Sequence, residues 1–260
     1  LRGTTHTFSV ACASSAVAVG EAARAIADGY LDAVLVIGTE SMLTAGCLVA
    51  WNALRVMAKP DEDHPEQSCK PFAANRSGFV LGEGAAALVL ESAAHARARG
   101  ATPLAELAGY GSSSDAHHLT APSVEGQVMA MTQALQDASL KPVDIHYINA
   151  HGTATDAGDV VETQSIHQVW ADGAKQVPIS STKAVHGHLI GAGGAAELVL
   201  SVQAMRRGVI PPTAHLMAHD ARCDLDYVPG EARALSRIDA VMSNSFAFGG
   251  SNACLIAKRV

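Results

Sequence analysis

Aromatic residues make up only 4% of the 260 positions and charged residues 17%, while Gly and Ala are plentiful. Scarce aromatics mean that elements must pack closely on small side chains, with room left for a ligand. No surplus of positive charge exists: the formal net charge is -7, which argues against wholesale binding to nucleic acid or acidic membranes. No apolar run approaches the ~18 residues of a membrane span, and no signal peptide is visible. The five cysteines (12, 47, 69, 223, 254) are dispersed, odd in number and free of any Cys-x-x-Cys pair. A disulfide framework is therefore not expected, and free thiols in a reducing cytoplasm are. Low-complexity tracts and short-period repeats are missing too.

What is present is a 48% hydrophobic chain in which strand and helix signals alternate. Strands are expected at 5–11, at 33–38 (the fully apolar "AVLVIG"), at 103–110, 145–150 and 177–180, and near 239–245 and 253–258. Helices are expected at 14–27, 42–57, 93–98, 124–138, 157–170 and 188–206. Residues 79–91 suggest a hairpin turning at "GEG", and the proline-punctuated "KPDEDHPEQSCKP" (59–71) reads as an exposed loop. The alternation predicts an α/β layered architecture, helices packed on largely apolar strands. The chain opens at Leu1 with a strand already under way, so the sequence reads as a fragment or a processed chain.

Three joints carry chemistry. In "TFSVACASSAVAVGEAARAI" (7–26) Cys12 stands where a strand gives way to a helix, ahead of the plausible caps Ser14 and Ser15. A helix N-terminus favours a thiolate over a thiol. In "YINAHGTATDAGDVVE" (147–162) a strand ends at His151, and a helix carrying Asp159 and Glu162 follows. In "STKAVHGHLIGAGGAAELV" (181–199) Lys183 and His188 precede a helix of small residues. In open α/β folds such joints line the ligand crevice. Most of the twelve histidines read singly as surface or structural groups. Zinc accepts Cys and His, but the short local spacings of a structural zinc site are absent, so no metal is expected. The "GAGGA" run (191–195) lacks a dinucleotide-loop spacing and reads as close helix packing.

Together with "NRSGFVLGEGAAALVLE" (75–91), "GSSSDAHHLTAP" (111–122) and "SNSFAFGGSNACLI" (243–256), these stretches resemble the β-ketoacyl synthases, the condensing enzymes of fatty acid and polyketide assembly. The resemblance implies a thiolase-like layered α-β-α-β-α fold whose first half is incomplete and whose second half is complete. Residues 1–100 would be the end of the first thiolase-type half, with the nucleophile, and 101–260 the second half, with both histidines. It also implies a catalytic set of Cys12, His151 and His188 with Lys183, an ion pair between Lys183 and Glu162, and Phe248 as a gate. Asp159 and Asp115 would belong to the supporting framework. Thr153, Thr155 and Thr120 would line the pantetheine channel.

The implied reaction is a decarboxylative Claisen condensation. Cys12 takes an acyl group from the phosphopantetheine of an acyl carrier protein, and backbone N–H groups of Cys12 and Phe248 hold the oxyanion. Two neutral imidazoles then stabilise the enolate left when malonyl thioester loses CO2. His188, ahead of a helix, is expected to be kept neutral by the dipole. The implied substrates ride on the carrier and no cofactor of the enzyme's own is needed. The implied partners are the carrier, which Arg55, Lys59 and Lys70 could meet, and a missing N-terminal portion or a tightly bound companion chain, in a homodimer or heterodimer. Departures from the family pattern are Ala73, where Asp is usual, and Cys69, where Arg is common; His186 reads as a variable neighbour of His188. A non-catalytic chain-length-factor-like subunit would lack the nucleophile, and a thiolase would pair a histidine with a second cysteine.

Overall fold

The computed structural model describes residues 2–260. The helices are α1 (Ser14–Ala27), α2 (Ala45–Ala53), α3 (Ala93–Ala98), α4 (Val124–Asp137), α5 (Asp156–Trp170), α6 (Lys183–His186) and α7 (Gly193–Arg207). The strands are β1 (Ala33–Glu40), β2 (Gly84–Glu91), β3 (Glu106–Ser114), β4 (Tyr147–Asn149), β5 (Ile179–Ser180), β6 (Val209–Ile210), β7 (Arg233–Ala234), β8 (Ala240–Phe246) and β9 (Ser251–Lys258).

A five-stranded sheet of order β3-β9-β8-β4-β5 forms the centre. β9 is antiparallel to both its neighbours, and β4 is parallel to β8 and β5. One face is covered by α4 and α5. The other packs on α1 and α7, which lie in turn against a two-stranded ribbon of β1 and β2. Two apolar clusters result, one on each side of the sheet. The α1–α7 layer thus has protein on both sides, which is why its helices need small residues. A Cβ at Gly194 would stand 2.7 Å from the Cβ of Ala16, so the helix–helix contact requires glycine there.

Four layers are therefore seen among the described residues: ribbon, helices, sheet, helices. The outer face of the ribbon is bare, with Leu35, Ile37 and Val89 exposed. Among those residues, no helix is long and apolar enough to cross a membrane.

Several sequence expectations need correction. Residues 5–11 form no strand; most of the stretch is exposed, and without a neighbour to bond, alternation alone cannot make a ladder. The 79–91 hairpin is absent: β2 begins at Gly84 and pairs with β1, while Phe79 and Leu81 make single bridges to Met57 and His188. The helix expected over 42–57 is shorter, starting after Thr44, whose hydroxyl accepts from the Cys47 N–H. The helix expected from 188 starts at Gly193, behind a short 3-10 turn at Ile190–Ala192.

Candidate active site

Ahead of α1 the chain turns sharply. Ala11 has φ +49, a left-handed value uncommon for a residue with a Cβ. Cys12 follows in a 3-10 turn, Ala11–Ala13. Ser14 and Ser15 are not helix caps. The Ser14 hydroxyl accepts from the Val10 N–H at 2.9 Å and donates to the Ala11 carbonyl at 2.7 Å, tying the turn together. Ser15 accepts from the Ala195 N–H at 2.9 Å and so links α1 to α7.

His151 follows β4. Its N–H and that of Gly152 both donate to the Glu162 carboxylate, at 2.9 and 2.8 Å, and Asn244 Nδ2 donates to the same carboxylate at 3.1 Å. Asp159, one turn earlier on α5, accepts from the Ala154 and Phe72 N–H groups at 3.1 and 2.6 Å and lies 3.6 Å from Arg76. Both carboxylates hold the loop after β4 through its backbone N–H groups. Burial pushes Asp159 up to about 7 against the pull of those donors and of Arg76, and burial likewise raises Glu162.

His188 is 2% exposed and Cys12 6%. His188 Nε2 lies 3.1 Å from Cys12 Sγ, and the two histidine rings meet edge to face with centroids 5.4 Å apart. One donor atom from each of Cys12, His151 and His188 lies within 4.8 Å of the others. Zinc accepts such donors; here the three groups lie within the field of the Lys183 ammonium.

Both histidines are held well below the usual imidazole range, first by burial, then by Lys183; His151 is lowered further by His188, and His188 by His186. Neutrality therefore comes from burial and charge, not from the dipole of α7, which starts five residues beyond His188. Neither Nδ1 has a hydrogen-bond partner among the described residues, so either ring nitrogen can carry the proton, and His188 faces the thiol with Nε2. Burial also pushes the Cys12 thiol up to about 11, against Lys183 and the Phe248 and Cys12 N–H groups that favour the thiolate. Burial thus opposes the thiolate that a helix N-terminus would favour.

The expected Lys183–Glu162 pair does not form. Lys183 Nζ instead lies 2.5 Å from Glu197 Oε1, and both side chains are 1% exposed. Glu197 escaped the sequence reading; its signal was a lone acid in the apolar, small-residue stretch "GGAAELV". Asp115 accepts from Asn252 Nδ2 at 2.7 Å and from the Ser123 N–H at 3.0 Å, and its own N–H donates to the Gly250 carbonyl at 2.8 Å. It thereby braces the loop that carries Phe248.

A cleft of about 280 Å³ leads inward from the surface. Thr120, Thr153, Thr155, His151 and Phe248 line it, with exposed Arg55 among its walls. The Thr153 and Thr155 hydroxyls lie 3.1 Å apart. Of Cys12, His151 and His188, His151 is the one that lines it.

Two family models match the chain. Residues 1–96 match the β-ketoacyl synthase N-terminal domain and residues 104–217 the β-ketoacyl synthase C-terminal domain. Nodulation protein E of Rhizobium leguminosarum bv. trifolii is 47% identical over 100% of this chain and 63% of its own length. The 3-oxoacyl-[acyl-carrier-protein] synthase 2 of Coxiella burnetii is 44% identical over the same shares. The chain thus spans 63% of the length of these relatives. Among solved structures, a type II PKS acyl-carrier protein in complex with its ketosynthase bound to the hexaketide matches with TM-score 0.96 at 31% identity, over 99% of this chain and 63% of that one. A β-ketoacyl synthase from Burkholderia phymatum STM815 matches with TM-score 0.91 at 44% identity, over 97% and 60%.

Proposed function

The chain belongs to the β-ketoacyl synthase family, and from that premise we propose that it carries the reaction centre of a decarboxylative condensing enzyme. The reaction joins an acyl thioester to malonyl thioester, both borne on acyl carrier protein, in fatty acid or polyketide elongation. One observation carries this reading: a buried thiol 3.1 Å from a neutral imidazole, with a second neutral imidazole and two backbone N–H groups on the same spot.

In the first half-reaction the Cys12 proton passes to His188 Nε2 as Sγ attacks the acyl carbonyl. The tetrahedral oxyanion accepts from the Cys12 and Phe248 N–H groups. Collapse expels the pantetheine thiolate, which takes up a proton as the doubly protonated His188 ring gives up the one on Nδ1, so that Cys12 is left acylated and His188 neutral with Nε2–H. In the second, malonyl thioester loses CO2, and the enolate oxygen accepts from Nε2–H of His151 and His188. Attack of its carbon on the acyl carbonyl forms the new C–C bond and releases Sγ. A protonated imidazole would serve the enolate less selectively, since it would also bind the departing carboxylate. Lys183 and Glu197 keep the centre ordered; Thr153, Thr155 and Thr120 would hold the pantetheine arm along the cleft. No cofactor of the enzyme's own takes part in this scheme.

Carrier docking would fall to exposed Arg55 and Lys59 at the cleft mouth; Lys70 is already engaged by Asp61. Residues 1–100 are read as the end of the first thiolase-type half and 101–260 as the second half. The bare face of the β1–β2 ribbon calls for cover, by further surface of the same protein or by a companion chain in a dimer. A cytoplasmic setting, which keeps Cys12 reduced, is part of the reading.

The test is intact-protein mass after exposure to acyl carrier substrate, beside CO2 release from the malonyl thioester. Cys12→Ala should lose the adduct. His151→Ala should slow decarboxylation by roughly 10²–10³, the size of one lost oxyanion-type donor, more than it slows loading, whereas His188→Ala should slow both steps. Normal decarboxylation in the double histidine variant would sink the proposal.

A further inference from the structure

The first histidine of "VHGH", His186, is bonded into the site rather than merely next to it. His186 Nδ1 lies 2.7 Å from the Gly187 carbonyl oxygen, and Nε2 lies 3.0 Å from the Thr182 hydroxyl. A carbonyl can only accept, so the ring proton is on Nδ1; Nε2 of the neutral ring is then the acceptor, and Thr182 donates to it. Burial and Lys183 hold this imidazole down to about 4, in keeping with that single protonation state.

The two contacts brace both ends of the one-turn helix α6, from Thr182 just before Lys183 to Gly187 just after. The Gly187 carbonyl belongs to the peptide unit whose N–H is that of His188, and that N–H donates to the Val80 carbonyl at 2.7 Å. One peptide is therefore gripped at both poles, its oxygen by the His186 ring and its N–H by Val80. The His188 carbonyl in turn accepts from the Gly82 N–H at 3.0 Å, and Phe79 meets the His188 ring edge to face at 5.4 Å. Everything that sets the His188 backbone except the His186 bond comes from residues 79–82.

We propose that His186 is a positioning residue: its Nδ1–H fixes the Gly187–His188 peptide and so aims His188 Nε2 at Cys12 Sγ. This rests on the reading of His188 as the group that takes the Cys12 proton.

The test compares His186→Ala, His186→Gln and His186→Asn in the intact protein. Asn places its amide nitrogen where Nδ1 stands and keeps the donor to Gly187; Gln places a donor nearer Nε2; Ala keeps neither. The first readout is the rate of Cys12 carboxamidomethylation by iodoacetamide, located by peptide mapping, which needs no natural substrate. Misaiming His188 should slow it by roughly ten- to a hundredfold in Ala and Gln, with Asn within about threefold of the wild type, a remnant of one hydrogen bond of net modest worth. If the Ala variant does not fold, the Gln-to-Asn contrast decides by itself. Wild-type rates in the Ala or Gln variant, or an Asn variant as slow as Gln, would overturn the proposal. CO2 release from malonyl thioester is measured alongside. Its absence in the wild type would count against the functional reading, while the alkylation ratios would still judge the clamp.

Discussion

β1 and β2 pair antiparallel over eight residue pairs and β8 and β9 over seven, so the two ribbons share a backbone plan. Their side chains have opposite fates. β1 reads "AVLVIGTE" yet leaves Leu35 42% and Ile37 58% exposed, whereas β8 buries every residue, including Ser243, Asn244 and Ser245 at 2%, 0% and 1%. The difference is the number of covering layers: helices lie on both faces of β8 and β9, on one face only of β1 and β2. Hydrophobicity says which residues can be buried; a second layer decides whether they are. Where both layers exist, the interior holds polar groups, some bonded or paired, as Asn149, the Asn244 amide nitrogen and Lys183 are, and others, such as the Ser243 hydroxyl, without a partner among the described residues; that is where Cys12, His151 and His188 sit.

The sharpest way to break this contrast is to strand a charge in the doubly covered region. Lys183→Met leaves Glu197 buried without its partner and should destabilise the protein by about 3–5 kcal/mol, read from urea midpoints. Adding Glu197→Leu should recover much of the loss. Next in size, Met242→Ala on β8, a fully buried side chain, should cost about 2–5 kcal/mol through the cavity it leaves.

Acid sharpens the same point. The folded protein holds His151 well below its usual 6.5, so between 6.5 and that lowered value the unfolded chain binds a proton that the folded one refuses. Stability then falls as pH drops, and the wild type should lose up to about 1.4 kcal/mol per pH unit relative to His151→Phe below pH 6.5. Paired denaturation curves from pH 7 to 5 check this; parallel trends would contradict the burial of a neutral ring. Smallest of all, Val89→Thr on the bare ribbon face should shift stability by no more than about 0.5 kcal/mol. A large loss there would mean that the face is covered in the intact protein.

The same contrast explains what could be foreseen from the sequence. α1 begins and ends where its pattern predicts, at Ser14 and Ala27, because a helix makes its backbone bonds locally. Residues 5–11 alternate like a strand but form none, since a strand needs a neighbour that periodicity does not supply. Cys12, His151 and His188 were legible as strand-end residues ahead of small or hydroxyl side chains, and the fold brings them together. Which acid meets Lys183 was not legible. Glu162 and Glu197 both stand in helices that reach the sheet, and only the layer arrangement puts Glu197 against the ammonium while Glu162 serves the His151 loop. His186 was passed over because nothing in a one-dimensional pattern reveals that its ring turns back on its own peptide.

Phe248 joins two duties that are usually kept apart. Its ring walls the cleft against Trp51, at 6.3 Å between centroids, and its N–H is one of the two that point at the Cys12 sulfur. Any displacement of the ring that carries its backbone along would take that donor from the sulfur as well. Wall and cradle are one piece, and Asp115, which braces the loop, serves both.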